Sequence, residues 1–211
     1  MSPEKQVLNI LMMLQDEYPD AGTMLRYNSE FELAVAVLLS AQSTDGQVNR
    51  VTGKLFEKYK EPADFVQIGL SELEELIKGV GLYRSKAKNI KKMSNMILDK
   101  FGGKVPRDFS SLLQLPGIGR KSANVILAVA FNQPGLGVDR HVHRVANRMG
   151  LVCGKNPAKT EMELKKLIPE EMWGKAHHLF IFHGRKVCKA RKPDCSKCVV
   201  RNLCRQKTVL P

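Results

Sequence analysis

Apolar residues recur at helical spacing along most of the chain, whereas the alternation of apolar and polar residues that indicates strands is nearly absent. The stretch FELAVAVLLSAQ, residues 31–42, is apolar almost all round, which is typical of a buried central helix. The segment 45–59 places Val48, Val51 and Leu55 on one face. Further helical patterns cover the N-terminal segment and residues 84–101, 108–114, 120–131, 140–149, 159–167 and 170–187. The pattern therefore predicts an all-α fold.

Three helix starts are also indicated by capping-box spacing, in which Ser or Thr is followed three residues later by Glu or Gln. These pairs are Ser29–Glu32, Thr44–Gln47 and Ser71–Glu74. We expect a helix to begin after the Ser or Thr of each pair.

A glycine-rich turn followed by a similar helix start occurs twice. GVGLYRSKAKNI at 79–90 echoes GIGRKSANVI at 117–126, and only the first copy carries the two extra residues Leu82 and Tyr83. An apolar pair in a turn either packs into the core or forms an exposed wedge, and apolar side chains inserted between base steps unstack DNA. The repeat predicts two helical hairpins and leaves both roles open for the inserted pair.

The second hairpin carries the strongest candidate chemistry. Gly117 and Gly119 interrupt two helical patterns, so Lys121 falls in the first turn of the following helix. Backbone N–H groups there lack intrahelical partners, lie at the positive end of the helix dipole and suit a phosphate oxygen that glycine allows to approach. Asp139 follows Lys121 by eighteen residues, so the two suggest an amine nucleophile and a carboxylate partner. Each also has a simpler explanation, Lys121 as a surface lysine and Asp139 as a helix N-cap.

Composition agrees with an anionic partner. The 34 Lys and Arg against 21 Asp and Glu give a net charge of +13, which favours nucleic acid but also fits general affinity for polyanions. No segment approaches the roughly 20 apolar residues that cross a bilayer, and the N-terminus lacks the pattern of a signal peptide. We therefore expect an intracellular, cytoplasmic protein, nucleoid-associated if prokaryotic, with no membrane partner.

Four cysteines cluster near the C-terminus with the spacing C-x6-C-x2-C-x5-C. They are Cys188, Cys195, Cys198 and Cys204. Inside a cell such thiols stay reduced, so ligation is favoured over disulfides, and the spacing alone fits zinc and an iron–sulfur cluster about equally. The fifth cysteine, Cys153, is expected to be a small core residue.

The cysteine segment is also strongly basic. Residues 183–207 contain nine Lys or Arg against one acid. Lys189, Arg191 and Lys192 lie in the loop between the first two cysteines and are expected to contact phosphates. A solvated basic tail is the alternative.

These residues together resemble the endonuclease III family of DNA glycosylases with abasic-site lyase activity, within the helix-hairpin-helix glycosylase superfamily. The resemblance runs from about Phe31 to Cys204. It is carried by LLSAQSTD (38–45), GLYRSKA (81–87), LPGIGRKSANV (115–125), VDRHVHR (138–144), HGR (183–185) and the four cysteines.

The resemblance implies two helical domains. One is a six-helix barrel with the helix-hairpin-helix over residues 22–132, and the other joins residues 1–21 to 133–211 around the metal cluster. DNA would lie across the cleft between them, where Lys121 and Asp139 would face each other. The four cysteines would hold a four-iron four-sulfur (4Fe-4S) cluster.

The resemblance also implies a mechanism. Lys121 would attack the sugar C1′ of an extruded damaged nucleotide, displace the base and form a Schiff base whose β-elimination nicks the strand. Asp139 would stabilise the positive charge that develops at the sugar and assist proton transfer. Gln42 and Leu82 would fill the gap left by the extruded base, so the wedge is favoured over the core plug.

The expected DNA contacts lie on several loops and helix starts. They are Gln42, Leu82, Gly117, Gly119, Arg120, Arg140, His141, Lys189, Arg191 and Lys192. Arg140 departs from the family, which usually carries a small residue between the aspartate and the histidine.

His141 and His143 are two residues apart and therefore lie on different helix faces, so a metal site there is not expected. His177, His178 and His183 are expected to pack between helices or bond to backbone.

Three functions remain open at the level of sequence. The first is a bifunctional glycosylase and lyase that acts as a monomer on oxidised or damaged pyrimidines in duplex DNA. The second is a sister glycosylase that removes thymine or uracil opposite guanine. The third is a non-catalytic DNA-binding module whose metal centre is structural or redox-sensing.

Overall fold

The computed structural model describes residues 2–206, which form helices and connecting loops without a strand. The prediction of an all-α fold is confirmed. The α-helices are α1 Pro3–Glu17, α2 Glu30–Leu39, α3 Asp45–Lys58, α4 Pro62–Gln67, α5 Leu70–Leu76, α6 Tyr83–Phe101, α7 Phe109–Gln114, α8 Arg120–Ala130, α9 Arg140–Arg148, α10 Pro157–Leu167 and α11 Trp173–Lys186. Short 3-10 helices cover Glu170–Met172, Cys195–Lys197 and Arg201–Leu203. No helix in this part of the chain is long and apolar enough to cross a membrane.

The chain divides into two compact units, one of residues 24–132 and the other of the described residues in 1–23 and 133–211. The 24–132 unit contains α2 to α8 and is built around α2. Every residue from Phe31 to Leu39 is buried, as expected for a helix that is apolar on all sides. The helix ends at Leu39 rather than at residue 42. Ser40 is its C-cap, and the N–H of Ser40 makes the last bond of the helix, to the carbonyl of Ala36.

Two hairpins of this unit bear on function. The first hairpin joins α5 to α6 through residues 77–82, and the second joins α7 to α8 through residues 115–119. Both second helices, α6 and α8, bury an apolar stripe in the core that surrounds α2. The repeat found in the sequence therefore corresponds to two real helical hairpins.

The other unit packs α1, α9, α10 and α11 around its own core. Leu14, Val142, Val145 and Phe180 are fully buried there. The cysteine segment joins the same core through Val200, which is also fully buried. The segment is thereby anchored to the helices although it is too polar to form a core of its own.

The three predicted capping boxes have different outcomes. Thr44 and Gln47 form the complete reciprocal pair before α3. Ser29 caps α2, but the Glu32 carboxylate accepts the N–H of Asn28, at 2.6 Å, instead of the N–H of Ser29. The third prediction is wrong, because α5 already begins at Leu70 and includes Ser71.

The expectation that Cys153 is a core residue is also wrong. Cys153 is exposed on the loop between α9 and α10, and its N–H donates to the Glu163 carboxylate at 2.9 Å. Its neighbours Leu151 and Val152 are buried instead. The apolar anchor of this loop therefore lies one residue earlier than the cysteine.

Candidate functional site

The second hairpin places its two glycines under different constraints. Gly117 has φ +85°, and a Cβ there would lie 2.9 Å from Cδ1 of Leu38 and 3.1 Å from Cβ of Asn89. Gly119 is the exposed N-cap of α8, and a Cβ there would meet no protein atom within 4 Å. Gly117 is therefore required by the protein's own packing, whereas the space beside Gly119 is open to a ligand.

Lys121 lies in the first turn of α8 and is partly buried. Arg120, which precedes it, is exposed, and its guanidinium carbon lies 5.1 Å from the centroid of the Phe109 ring. Lys121 therefore follows an exposed cation at the positive end of the α8 dipole.

The first hairpin exposes Leu82, an apolar residue that has no counterpart in the second hairpin. Leu82 has a left-handed backbone, with φ +58°, and its side chain is 60% exposed, so Leu82 does not plug the core. Tyr83 is half-buried and packs against the core. Gln42 is exposed and also left-handed, with φ +53°.

Asp139 is the N-cap of α9, so the simpler of its two predicted roles is real. Its Oδ1 accepts the N–H groups of His141 and Val142 at 2.7 and 2.9 Å, and its Oδ2 lies 2.9 Å from Nδ1 of His141. Burial alone would raise the pKa of Asp139, but the bonds from His141 and Val142 outweigh it and hold the pKa well below its usual range. The carboxyl is therefore ionised at neutral pH while 23% of its side chain stays accessible.

The residues that flank Asp139 differ in exposure. Arg140 is exposed at the first position of α9, whereas the His141 side chain is only 17% exposed because its ring is held against Asp139. His177 bonds through Nδ1 to the carbonyl of Gly137, in agreement with the expected backbone-bonding role. Lys121 and Asp139 belong to different units of the chain.

The helix that begins at Asp139 also holds the cysteine loop. Arg144 donates through Nε and Nη2 to the carbonyl of Cys188, at 3.1 and 3.0 Å, and through Nη2 to Gly184. Arg148, in the last turn, donates to the carbonyls of Lys189 and Ala190 at 2.6 and 2.8 Å. Helix α9 therefore connects the carboxylate at its start with the loop at its end.

The four cysteine side chains of 188–204 are partly buried in a common environment. Burial, together with the neighbouring cysteines, raises the pKa of the Cys198 thiol to about 11, against the smaller opposing effect of the Val200 N–H. Four thiolates this close need a cationic centre to stabilise them. A single zinc ion would require the four sulfur atoms to lie about 2.3 Å from one centre and therefore nearly in contact with one another. Within residues 2–206 no group of three or more His, Cys, Asp or Glu side chains is arranged to hold a single metal ion. Four thiolates are also the donor set that holds iron–sulfur clusters.

His183 lies directly behind one of these thiols. It is fully buried, its Nε2 lies 3.6 Å from Sγ of Cys198, and its Nδ1 lies 3.2 Å from the hydroxyl of Tyr18. Burial raises the pKa of Tyr18 to about 12 and lowers the pKa of His183 to about 4, so the phenol keeps its proton and the imidazole is neutral. With the Tyr18 O–H donating to Nδ1, the proton of the imidazole lies on Nε2 and faces the sulfur.

The three basic residues of the loop, Lys189, Arg191 and Lys192, are all exposed. Arg148 binds the backbone of this loop at Lys189 and Ala190, and Lys192 is left-handed, with φ +50°. Lys207, the last of the nine basic residues counted in this segment, lies outside the described residues.

Sequence reasoning missed four residues that position the site. They are Lys86, Arg144, Arg148 and Tyr18. One signal was available for Lys86, because it shares the buried stripe of α6 with Ile90, Met93 and Ile97, where a lysine is unusual. Nothing in the local sequence of the other three indicates a partner, since those partners lie about 40 or more residues away along the chain.

Two family models match this chain. Residues 35–170 match the model of the HhH-GPD superfamily base excision DNA repair proteins, and residues 188–204 match the iron–sulfur binding domain of endonuclease III. The chain is 48% identical to endonuclease III of Bacillus subtilis over 203 residues, which cover 96% of this chain and 93% of that protein.

Two solved structures extend the comparison. A trapped endonuclease III–DNA covalent intermediate superimposes with a TM-score of 0.93 and 46% identity over 98% of this chain and 97% of that one. A thermostable thymine-DNA glycosylase superimposes with a TM-score of 0.85 at 24% identity, over 96% of both chains, which shows a common fold only.

Proposed function

Because the chain belongs to the endonuclease III family of the HhH-GPD superfamily, we propose that it excises oxidised or ring-damaged pyrimidines from duplex DNA and nicks the resulting abasic site. It is thus a DNA N-glycosylase with abasic-site lyase activity. The observation that carries this function is the position of Lys121, an amine in the first turn of a hairpin helix whose N-cap, Gly119, is open to a phosphate.

Lys121 supplies the nucleophile. Its neutral amine attacks C1′ of the extruded nucleotide, and the C1′–N bond breaks as its electron pair leaves with the base, which takes up a proton. The nitrogen then loses a proton and the C1′–O4′ bond breaks, with O4′ taking up a proton, so that the sugar ring opens to a Schiff base. The Schiff base acidifies the C2′ proton, and loss of that proton forms a C2′–C3′ double bond and expels the 3′ phosphate. The helix N-terminus and Arg120 disfavour a protonated amine at this position and so favour the reactive form.

Asp139 acts mainly through its charge. Its depressed pKa makes it a weak base, so stabilisation of the positive charge on the sugar suits it better than carrying the proton. His141 holds the carboxylate in one orientation through the bond at 2.9 Å. Capping of α9 and catalysis thus use the same carboxylate.

The remaining predicted contacts form two groups. Gln42 and Leu82, which we call the filler residues, occupy the gap left by the extruded base, and their exposure supports this role. Phosphates are bound at the second hairpin by Gly117, Gly119 and Arg120, beside Asp139 by Arg140 and His141, and at the loop by Lys189, Arg191 and Lys192.

The chain binds a 4Fe-4S cluster, and we propose Cys188, Cys195, Cys198 and Cys204 as its four ligands. When bound, the cluster supplies a cationic centre that ties the four thiolates together. The protein's own contribution is the clamp of Arg144 and Arg148, which shapes the loop beneath its exposed cations. Without the cluster, we expect the loop to lose its shape and the protein to lose DNA affinity.

The enzyme is expected to act inside the cell, as a monomer.

Borohydride trapping tests the assignment of Lys121. We expect the wild-type protein to form a covalent adduct with duplexes that contain an abasic site or an oxidised pyrimidine, and Lys121→Gln to form none. Lys54→Gln, which removes an exposed lysine from α3 of the same unit, is the matched control and should trap normally. An adduct that persists in Lys121→Gln would contradict the role of Lys121.

A panel of duplexes separates this function from that of the mismatch glycosylase. We expect faster excision of oxidised pyrimidines opposite guanine or adenine than of normal thymine opposite guanine. The reverse order would favour the function of a mismatch glycosylase. The thymine-DNA glycosylase compared above shares only its fold with this chain.

A further inference from the structure

The two filler residues share an unusual backbone. Gln42 and Leu82 both lie in the left-handed region, which residues with a side chain rarely adopt. They belong to different segments, the loop after α2 and the turn before α6. Something other than local preference must therefore hold both segments in place.

A buried ammonium group holds the first segment. Lys86, on the core-facing side of α6, is only 5% exposed, and its Nζ donates to the carbonyls of Leu39 and Ala41 at 2.8 and 2.6 Å and to Oγ of Ser43 at 3.1 Å. All three protons of the ammonium are used. They bind the chain on both sides of Gln42, at the negative end of α2.

The second segment is connected to the same group. Oγ of Ser43 also accepts the N–H of Gly81 at 3.2 Å, and a Cβ on Gly81 would lie 3.3 Å from the carbonyl oxygen of Gln42. The turn that carries Leu82 therefore packs directly on the backbone of Gln42. Lys86 and Ser43 join the two filler segments into one polar network.

We propose that Lys86 is a positioning residue that fixes Gln42 and Leu82 relative to each other, so that both enter the duplex together when the damaged nucleotide is extruded. The inference rests on the proposed function, because it requires these two residues to be the fillers. Lys86 itself touches neither the substrate nor Lys121 in this role. Burial lowers the pKa of Lys86, because removal from solvent disfavours the charged ammonium.

The chain offers a matched control on the same helix. Lys91 also binds three acceptors through Nζ, the carbonyls of Phe65, Val66 and Ile68, but these close the end of α4. Lys91→Met should therefore destabilise the protein in the same manner as Lys86→Met without moving the fillers.

The test compares two reactions of the full-length holoenzyme. Lys86→Met should lower the single-turnover excision rate on a lesion duplex at least about tenfold, because small misplacements at a reacting site have effects of this size. It should leave cleavage of a single-stranded abasic oligonucleotide, which has no gap to fill, within about twofold of the wild-type rate. The fluorescence of 2-aminopurine opposite the lesion, which reports unstacking, should rise on binding of wild-type protein and Lys91→Met but not of Lys86→Met.

Equal losses on both DNAs, or equal losses in Lys86→Met and Lys91→Met, would overturn the inference. If Lys86→Met does not fold, Ser43→Ala decides, since it removes only the hydroxyl shared by Lys86 and Gly81 and should give the same selective loss. Failure of the proposed function itself is distinguishable, because the wild-type protein would then cleave neither DNA.

Discussion

At the scale of single residues, the same residue type serves different purposes at neighbouring positions. Gly117 has a positive φ, and a Cβ there would meet Leu38 and Asn89, whereas a Cβ on Gly119 would meet only open space. The motif in the sequence shows two equivalent glycines. Only the packing around them shows that Gly117 is also needed for folding, whereas the space beside Gly119 is open.

This difference predicts opposite effects of two alanine substitutions. Gly117→Ala should lower the free energy of unfolding by about 1–3 kcal/mol, because it combines a positive φ, which alanine rarely adopts, with an overlap of the new methyl group with Leu38 and Asn89. Gly119→Ala should change that free energy by less than about 1 kcal/mol but weaken DNA binding, since the methyl group would occupy the space for a phosphate. Urea unfolding and fluorescence anisotropy with an abasic-analogue duplex measure the two quantities. Unchanged DNA affinity in Gly119→Ala would remove this residue from the interface.

At the scale of elements, α9 combines two tasks. Its first turn fixes the ionised Asp139, and its last turn holds the loop of Cys188 through Arg148. A helix is stiff over this length, so displacement at one end should be transmitted to the other. The cysteine loop and the candidate catalytic carboxylate are thus coupled by a single element.

The coupling predicts a specific effect of Arg148→Lys. Lysine keeps the charge but lacks the forked guanidinium that reaches the carbonyls of Lys189 and Ala190 together. We expect the cluster to be lost faster, measured as the decay of its visible absorbance in the presence of a chelator. Arg201→Lys, an exposed arginine on the 3-10 helix before Cys204, should decay at the wild-type rate. Identical decay in all three proteins would show that the clamp does not protect the cluster.

For the molecule as a whole, we propose that the net charge of +13 acts on DNA through a few cations at fixed positions as well as through the general field. Lys189, Arg191 and Lys192 are exposed on a loop whose backbone is held by Arg148. Cations held in this way bind phosphates at a smaller loss of conformational entropy than a mobile basic tail does.

Salt dependence tests this distinction. Changing Lys189, Arg191 and Lys192 together to Gln should reduce the slope of log K against log [salt] by up to about 2.7, since each phosphate contact contributes about 0.9. Lys54, Lys58 and Lys60, which are exposed near the end of α3, provide a triple variant with the same change in net charge. If both triple variants reduce the slope equally, the loop acts only through the general field.

Much of the fold and part of the site could be predicted before the structure was known. The buried α2, the two hairpins and the cap at Thr44 were predictable, because periodicity, glycine and N-capping act within a few residues of the chain. Ser71 was mistaken for a cap because the same spacing also occurs inside a helix. Cys153 was wrongly predicted to be buried, because its neighbours Leu151 and Val152 pack into the core in its place.

Sequence patterns alone indicate the helical class, the hairpin that carries Lys121, the carboxylate at the start of α9 and the set of four cysteines. The bonds from Lys86 to Leu39, Ala41 and Ser43, and those from Arg144 and Arg148 to the cysteine loop, are visible only in the folded protein. The physical reason is the range of the interactions. A cap or a turn depends on nearest neighbours, whereas a buried ammonium or guanidinium finds its acceptors about 40 residues away, and only the packing of whole helices brings them within hydrogen-bonding distance.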